Sequence, residues 1–149
     1  MANLKDVPCK CTPWVRKVAQ RVGIMLLDRL ETGETGTIAY SKGAELVRRK
    51  SGGEVRVLPC RMHRSLGLLQ ELCRALDLPC LPSLVVGKKT GIPGKGFYKA
   101  YTELDQQNQV EYPAVLESEE QMRRIAETEQ EACRKHEDWQ ELRNALNKL

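Results

Sequence analysis

Gly36-Thr37-Ile38-Ala39-Tyr40-Ser41-Lys42-Gly43-Ala44 is the stretch on which the reading of this chain turns. Gly33 and Gly36 end whatever precedes it, and Ser41 is the expected N-cap of a helix running from Tyr40 or Ser41 to about Arg49. Upstream, Val15, Val18, Val22, Met25, Leu26 and Leu30 recur at spacings of three and four. That period predicts an amphipathic helix over Trp14 to Leu30, with Pro13 suited to its start. Downstream, Gly52-Gly53 breaks the second helix, and Glu54 to Leu58 alternates as a short strand would. Arg61 to Leu76 reads as a third helix, because Leu66, Leu69, Leu72, Cys73 and Leu76 share one face. Pro79 and Pro82 exclude helix beyond it.

Leu84-Val85-Val86 predicts a short buried strand, Gly87 to Gly96 a tight turn, and Phe97 to Tyr101 the returning strand of a β-hairpin. Helix, helix, helix, strand, loop, strand is the order of a winged helix-turn-helix. The expected fold is mainly α, with a winged helix-turn-helix over 1–104 and an acidic helical extension over 105–149. From Glu117 to Leu149 the chain has neither Gly nor Pro. Met122, Ile125, Ala126, Ala132, Cys133, Trp139, Leu142, Leu146 and Leu149 form a helical stripe there. One helix about 50 Å long, or a pair broken near Lys135 to Asp138, satisfies that stripe.

A chain of 149 residues is about one domain and long enough for a core. No apolar run reaches the ~20 residues of a membrane span, and Met1 to Thr12 lacks a signal-peptide core. A cytoplasmic protein without a membrane partner is expected. The net charge of +4 hides an asymmetry. Residues 1–100 carry 18 Lys and Arg against 8 Asp and Glu, whereas 101–149 carry 6 against 12. A basic body with an acidic tail points to a polyanion-facing surface and a separate appendage.

Cysteines at 9, 11, 60, 73, 80 and 133 do not read as a disulfide framework. There is no secretory signal, and Cys73 falls in an apolar stripe where a reduced thiol packs as a small hydrophobe. Cys9-Lys10-Cys11 is a poor zinc signature, and His63 and His136 stand apart. No metal and no cofactor is expected.

Gly36, Ile38, Tyr40 and Ala44, followed by Arg64-Ser65-Leu66-Gly67 and then by Val85-Val86, resemble the DNA-binding half of alkylguanine–DNA alkyltransferases and the alkyltransferase-like proteins. The resemblance covers about residues 15–98. It implies that Tyr40 contacts or rotates a phosphate. It also implies that Arg64 enters the duplex as an arginine finger, filling the space of an extruded base. The family's active site is Pro-Cys-His-Arg before two valines; here Leu81-Pro82-Ser83-Leu84 stands in that place. The nucleophile, its histidine and the arginine are absent. Cys80 lies nearby, but its local sequence offers no basic neighbour to make a thiolate.

The glycines at 87, 91, 94 and 96 are neither a Walker A motif nor a dinucleotide fingerprint. Among them stand Lys88, Lys89 and Lys95, which supply sequence-independent attraction for phosphates. The function expected is non-catalytic binding of double-stranded DNA. Arg61, Arg64, Lys88, Lys89 and Lys95 make phosphate or groove contacts, Ser65 belongs to the recognition motif, and Tyr40 and Ser41 position the backbone. The alternative is a protein-interaction module, such as a phage-encoded inhibitor or adaptor, binding a protein partner or a second copy through the C-terminal helix.

Overall fold

The computed structural model describes residues 11–98 and 118–149. Helix α1 spans Pro13–Glu31; the Thr12 hydroxyl accepts from the Val15 amide at 3.2 Å, and the proline occupies the first turn. Val18, Val22, Met25 and Leu26 are buried on one face, as their spacing requires. Strand β1 (Ile38–Ala39) runs straight into α2 (Tyr40–Lys50), so Ala39 takes the N-cap position and Ser41 lies one residue inside the helix. The expected Ser41 cap is therefore displaced. An extended residue must precede a helix, and the strand already supplies one.

Gly52 and Gly53 adopt φ values of 64° and 84°, which end α2. Glu54 to Leu58 forms no strand; it is an irregular run leading to a 3₁₀ turn at Pro59–Arg61 and then α3, His63–Ala75. A second 3₁₀ turn, Leu81–Leu84, leads into β2, Val85–Val86.

β2 pairs with β1 in parallel, Ile38 opposite Val85 and Ala39 opposite Val86. α2 and α3 form the crossover that a parallel pair needs. The expected return strand is corrected at its start. Residues 95–98 are helical, and Phe97 and Tyr98 are both buried, beside Cys80, Met122 and Ile125. A strand would have sent one of the two rings outward. Residues 99–101 of that expected strand lie outside the described residues.

The acidic tail forms two helices, α4 (Glu119–Lys135) and α5 (Gln140–Asn147), the broken pair of the two arrangements its stripe allows. α4 starts under a side-chain cap, Ser118 accepting from the Gln121 amide at 3.1 Å. Between the helices, the Asp138 carboxylate accepts from the Gln140 amide at 3.0 Å. α5 then folds back onto α1. Leu142 and Leu146 are fully buried, and Trp139 is nearly so. Gln20 Nε2 donates to the Leu146 carbonyl at 2.8 Å, while Arg143 bridges Asp28 and Glu31 at 3.1 and 2.8 Å. Gly23 permits this approach: a Cβ there would lie 2.6 Å from Leu146 Cδ1. No helix among the described residues is long and apolar enough to cross a membrane.

Candidate nucleic-acid interface

The β1–β2 pair fixes where α2 begins, and so where Tyr40 stands. The tyrosine ring is half-buried, and its oxygen accepts from the Gly94 amide at 2.7 Å. Burial raises its pKa against the lowering effect of that bond, so at neutral pH it is a phenol. The phenolic proton remains for an acceptor of its own, which suits a phosphate oxygen. Gly94 has little room for more: a Cβ would meet the Tyr40 oxygen at 3.0 Å.

The loop after β2 is closed by Gly87 donating to Ile92 at 2.9 Å and Gly91 to Gly87 at 2.9 Å. Gly91 has φ 68°, a conformation open to glycine. Arg123 of α4 holds the loop from outside, its Nη2 donating to the Thr90 carbonyl at 3.1 Å. The loop thus leaves the sheet beside Ala39 and returns to Tyr40, keeping Lys88, Lys89 and Lys95 exposed near the start of α2.

Beside Tyr40 opens a cavity of ≈ 340 Å³, walled by Tyr40, His63, Gln70, Pro82, Lys95 and Phe97 among others. Stretches far apart in the chain build it, which is why sequence spacing alone does not reveal it. Gln70 is buried and donates to the Phe97 carbonyl at 3.2 Å, tying α3 to the helical turn. Gly67 lines the same cavity, and a Cβ on it would meet nothing within 4 Å. Its missing side chain widens the space rather than relieving a clash.

Arg61 and Arg64 flank this opening on the turn and first residues of α3, both exposed. Among the described residues, neither they nor Lys88, Lys89 and Lys95 pair with a carboxylate, whereas Lys17, Arg29, Lys50, Arg134 and Arg143 all do. Arg64 in particular reaches neither Glu71 nor Asp77. The helix ends agree with this pattern. α2 and α3 begin with no side-chain cap and no acidic residue in the first turn. α4, by contrast, has Ser118 with Glu119 and Glu120. Uncapped amides and an unopposed helix dipole favour anions at the starts of α2 and α3. Ser41 is exposed on the first of these turns.

Ser65 is a correction. It is 2% exposed, and its hydroxyl donates to the Val15 carbonyl at 3.0 Å. It fastens α3 to α1 and presents nothing to a ligand. A buried hydroxyl must find a partner, and the nearest lies on the first helix.

Residues 80–84 offer no nucleophile either. Pro82 faces the cavity, while Ser83 is fully buried and its carbonyl accepts from Gln130 at 2.9 Å. Cys80 is buried, its amide donating to Glu129 at 3.1 Å. Burial drives its thiol well above the usual value, and Cys73, Glu129 and Cys133 push it the same way. That is opposite to what a thiolate nucleophile needs. The described residues contain no group of three or more His, Cys, Asp or Glu arranged to hold a metal. No family model, no curated protein and no solved structure matches this chain.

Proposed function

We propose that this protein binds duplex DNA without catalysing a reaction, using α2 and α3 as a helix-turn-helix of the alkyltransferase-like kind. The loop 87–96 stands in the place of a wing. The observation that carries the reading is the placing of Arg61, Arg64, Lys88, Lys89 and Lys95 near two uncapped helix starts, each without a carboxylate partner among the described residues, as are Arg48, Arg56 and Lys148 elsewhere. Lysines and helix amides hold phosphates and set the register on the duplex. Tyr40 donates its phenolic proton to a phosphate, Ser41 supports the same strand, and Arg64 enters the groove. Its planar guanidinium stacks and pairs at once, which an ammonium cannot do. A cytoplasmic setting belongs to this reading, as does the absence of a bound cofactor.

The alternative, a protein-interaction module reached through the tail, needs an apolar face on α5. Leu142 and Leu146 are buried against α1 instead, and Leu149 packs against the same core. Nothing on α5 therefore favours a partner protein over its own chain.

A mobility-shift comparison of plain duplex, alkylguanine-containing duplex and single strand tests the proposal. Binding of duplex that weakens steeply with added salt supports it, because neutralised phosphates release counterions. Preference for the lesion marks a damage sensor, and equal binding an architectural or regulatory protein. No duplex binding at low salt, or binding indifferent to salt, removes it.

A further inference from the structure

Glycine is the poorest interior helix residue after proline, yet Gly67 stands inside α3 with no steric need to be glycine. A Cβ there would meet nothing within 4 Å, and the residue does not take a left-handed backbone. What the missing side chain preserves is the ≈ 340 Å³ cavity beside Tyr40, a volume in the range that holds small organic ligands.

Three features of that cavity specify its ligand. Leu66, Pro82 and Phe97 give it buried apolar walls. Gln70, only 3% exposed, lines it as well. Its Nε2 donates to the Phe97 carbonyl, whereas its Oε1 accepts from no donor among the described residues. A buried carboxamide oxygen in that state calls for an N–H or O–H to satisfy it. On the exposed side stand the Tyr40 hydroxyl and the Lys95 ammonium. The phenolic oxygen already accepts from Gly94 and has its own proton to give, and Lys95 pairs with no described carboxylate. Both groups suit an anionic oxygen. A small aromatic acid with a hydroxyl or N–H donor away from its carboxylate meets all three conditions. A nucleobase fits less well, because its edge carries several donors and acceptors against one unpartnered oxygen between apolar walls.

We propose that this cavity is an effector site for a small aromatic acid. The ring lies between Leu66, Pro82 and Phe97, its donor meets Gln70 Oε1, and its carboxylate takes Tyr40 and Lys95. The site stands on the cavity itself, while its consequence rests on the duplex-binding reading above. The carboxylate occupies two groups that would otherwise meet a phosphate, so the loaded protein binds duplex more weakly, and duplex weakens the acid by the same factor.

The test titrates the full, nitrogen-15-labelled chain with 4-hydroxybenzoate. Benzoate, which lacks the donor, and 4-hydroxybenzyl alcohol, which lacks the carboxylate, are the comparators. The Gly67 and Phe97 amide signals should shift saturably with a Kd of about 1 mM or tighter, within reach of ~10 non-hydrogen atoms. Each comparator should bind about fivefold more weakly or worse, the worth of one hydrogen bond. Gln70→Leu should bring 4-hydroxybenzoate down to the level of benzoate. Gly67→Leu, whose side chain enters the cavity, should abolish binding and melt no lower than the parent; if it melts lower, Gln70→Leu decides alone. With a fluorescein-labelled duplex, saturating 4-hydroxybenzoate should lower affinity about fivefold or more against equal sodium acetate. No saturable shift, equal affinities for 4-hydroxybenzoate and benzoate, or full binding by a folded Gly67→Leu overturns the site and leaves duplex binding untouched. Duplex affinity that ignores the bound acid overturns the effector role. Duplex carrying 2-aminopurine checks the other occupant: emission that rises with the parent but not with Gly67→Leu assigns the cavity to an extruded base and overturns the proposal. A parent that takes the acid but binds no duplex keeps the site and overturns the duplex reading.

Discussion

Removing the Leu146 side chain measures how far the acidic tail belongs to the fold. Leu146 is fully buried, and its methyls lie where a Cβ on Gly23 would stand, Cδ1 at 2.6 Å and Cδ2 at 3.0 Å. Leu146→Ala deletes three carbons, about 2.4 kcal/mol of transfer energy at ~0.8 kcal/mol per methylene, before any cavity is counted. With a cavity that helix packing closes only in part, the loss should reach about 3–4 kcal/mol. Gly23→Ala attacks the same contact from the other side. The new methyl must displace the Leu146 methyls and the Leu69 Cδ1 at 3.2 Å. That costs about 1–2 kcal/mol after the helix-propensity gain of alanine is set against it. In the double variant the methyl added at position 23 enters space that the Leu146 side chain vacated, so the combined loss should fall short of the sum by about 1–2 kcal/mol. Urea unfolding followed by circular dichroism and by Trp139 emission reads all three variants. A slope near 2 kcal/mol per M turns the Leu146→Ala loss into a midpoint lower by about 1.5–2 M. Leu146→Ala within about 0.5 kcal/mol of the parent, the scale of surface substitutions, or strict additivity in the double variant, would refute an integral tail.

Alkali should unfold the protein through its thiols. Burial raises Cys73 to about 12 and moves Cys80 and Cys133 upward as well. Folded values above unfolded ones mean that this stability is intact below the unfolded thiol value of about 8.5 and is lost as pH rises through the folded values. Each thiol contributes a slope of up to about 1.4 kcal/mol per pH unit in that window. Denaturant titrations between pH 8 and 11 should show the fall, and a flat profile would contradict it. Tyr40→Phe removes the acceptor of the Gly94 amide and should cost about 1 kcal/mol in stability. Its duplex affinity, read by anisotropy, should drop too; an unchanged affinity would free Tyr40 from the phosphate role.

Helix by helix, the apolar period of α1 and α3 was sufficient to place them to within two residues, because each buries one stripe against a single core. The tail stripe left one helix or two open, because it runs on without Gly or Pro; the structure breaks it between Lys135 and Gln140. The two-residue strands were not legible. Val85 and Ile38 are 47 positions apart, and nothing local tells β2 to choose β1 over a hairpin partner. Phe97 and Tyr98 also misled, since β-prone residues turn helical when both rings have a buried place to go. Among the expected contacts, the exposed cations could be named from charge alone. Ser65 could not, because its inward turn depends on a carbonyl 50 positions away in sequence. The cavity wall formed by Gln70, Pro82 and Phe97 exists only once the chain is folded.

The most direct test of the central claim compares Arg64→Ala with Lys88→Ala in salt-dependent duplex binding. Both residues are exposed, and neither pairs with a described carboxylate, so melting temperatures should stay near that of the parent. Lys88→Ala should cost modest affinity and lower the salt slope by about one contact. Arg64→Ala should cost at least tenfold more than Lys88→Ala, corresponding to about 1.4 kcal/mol or more, because an inserted guanidinium stacks on bases as well as pairing with charge. Equal small losses in the two variants, or duplex binding that neither variant alters, would contradict the account.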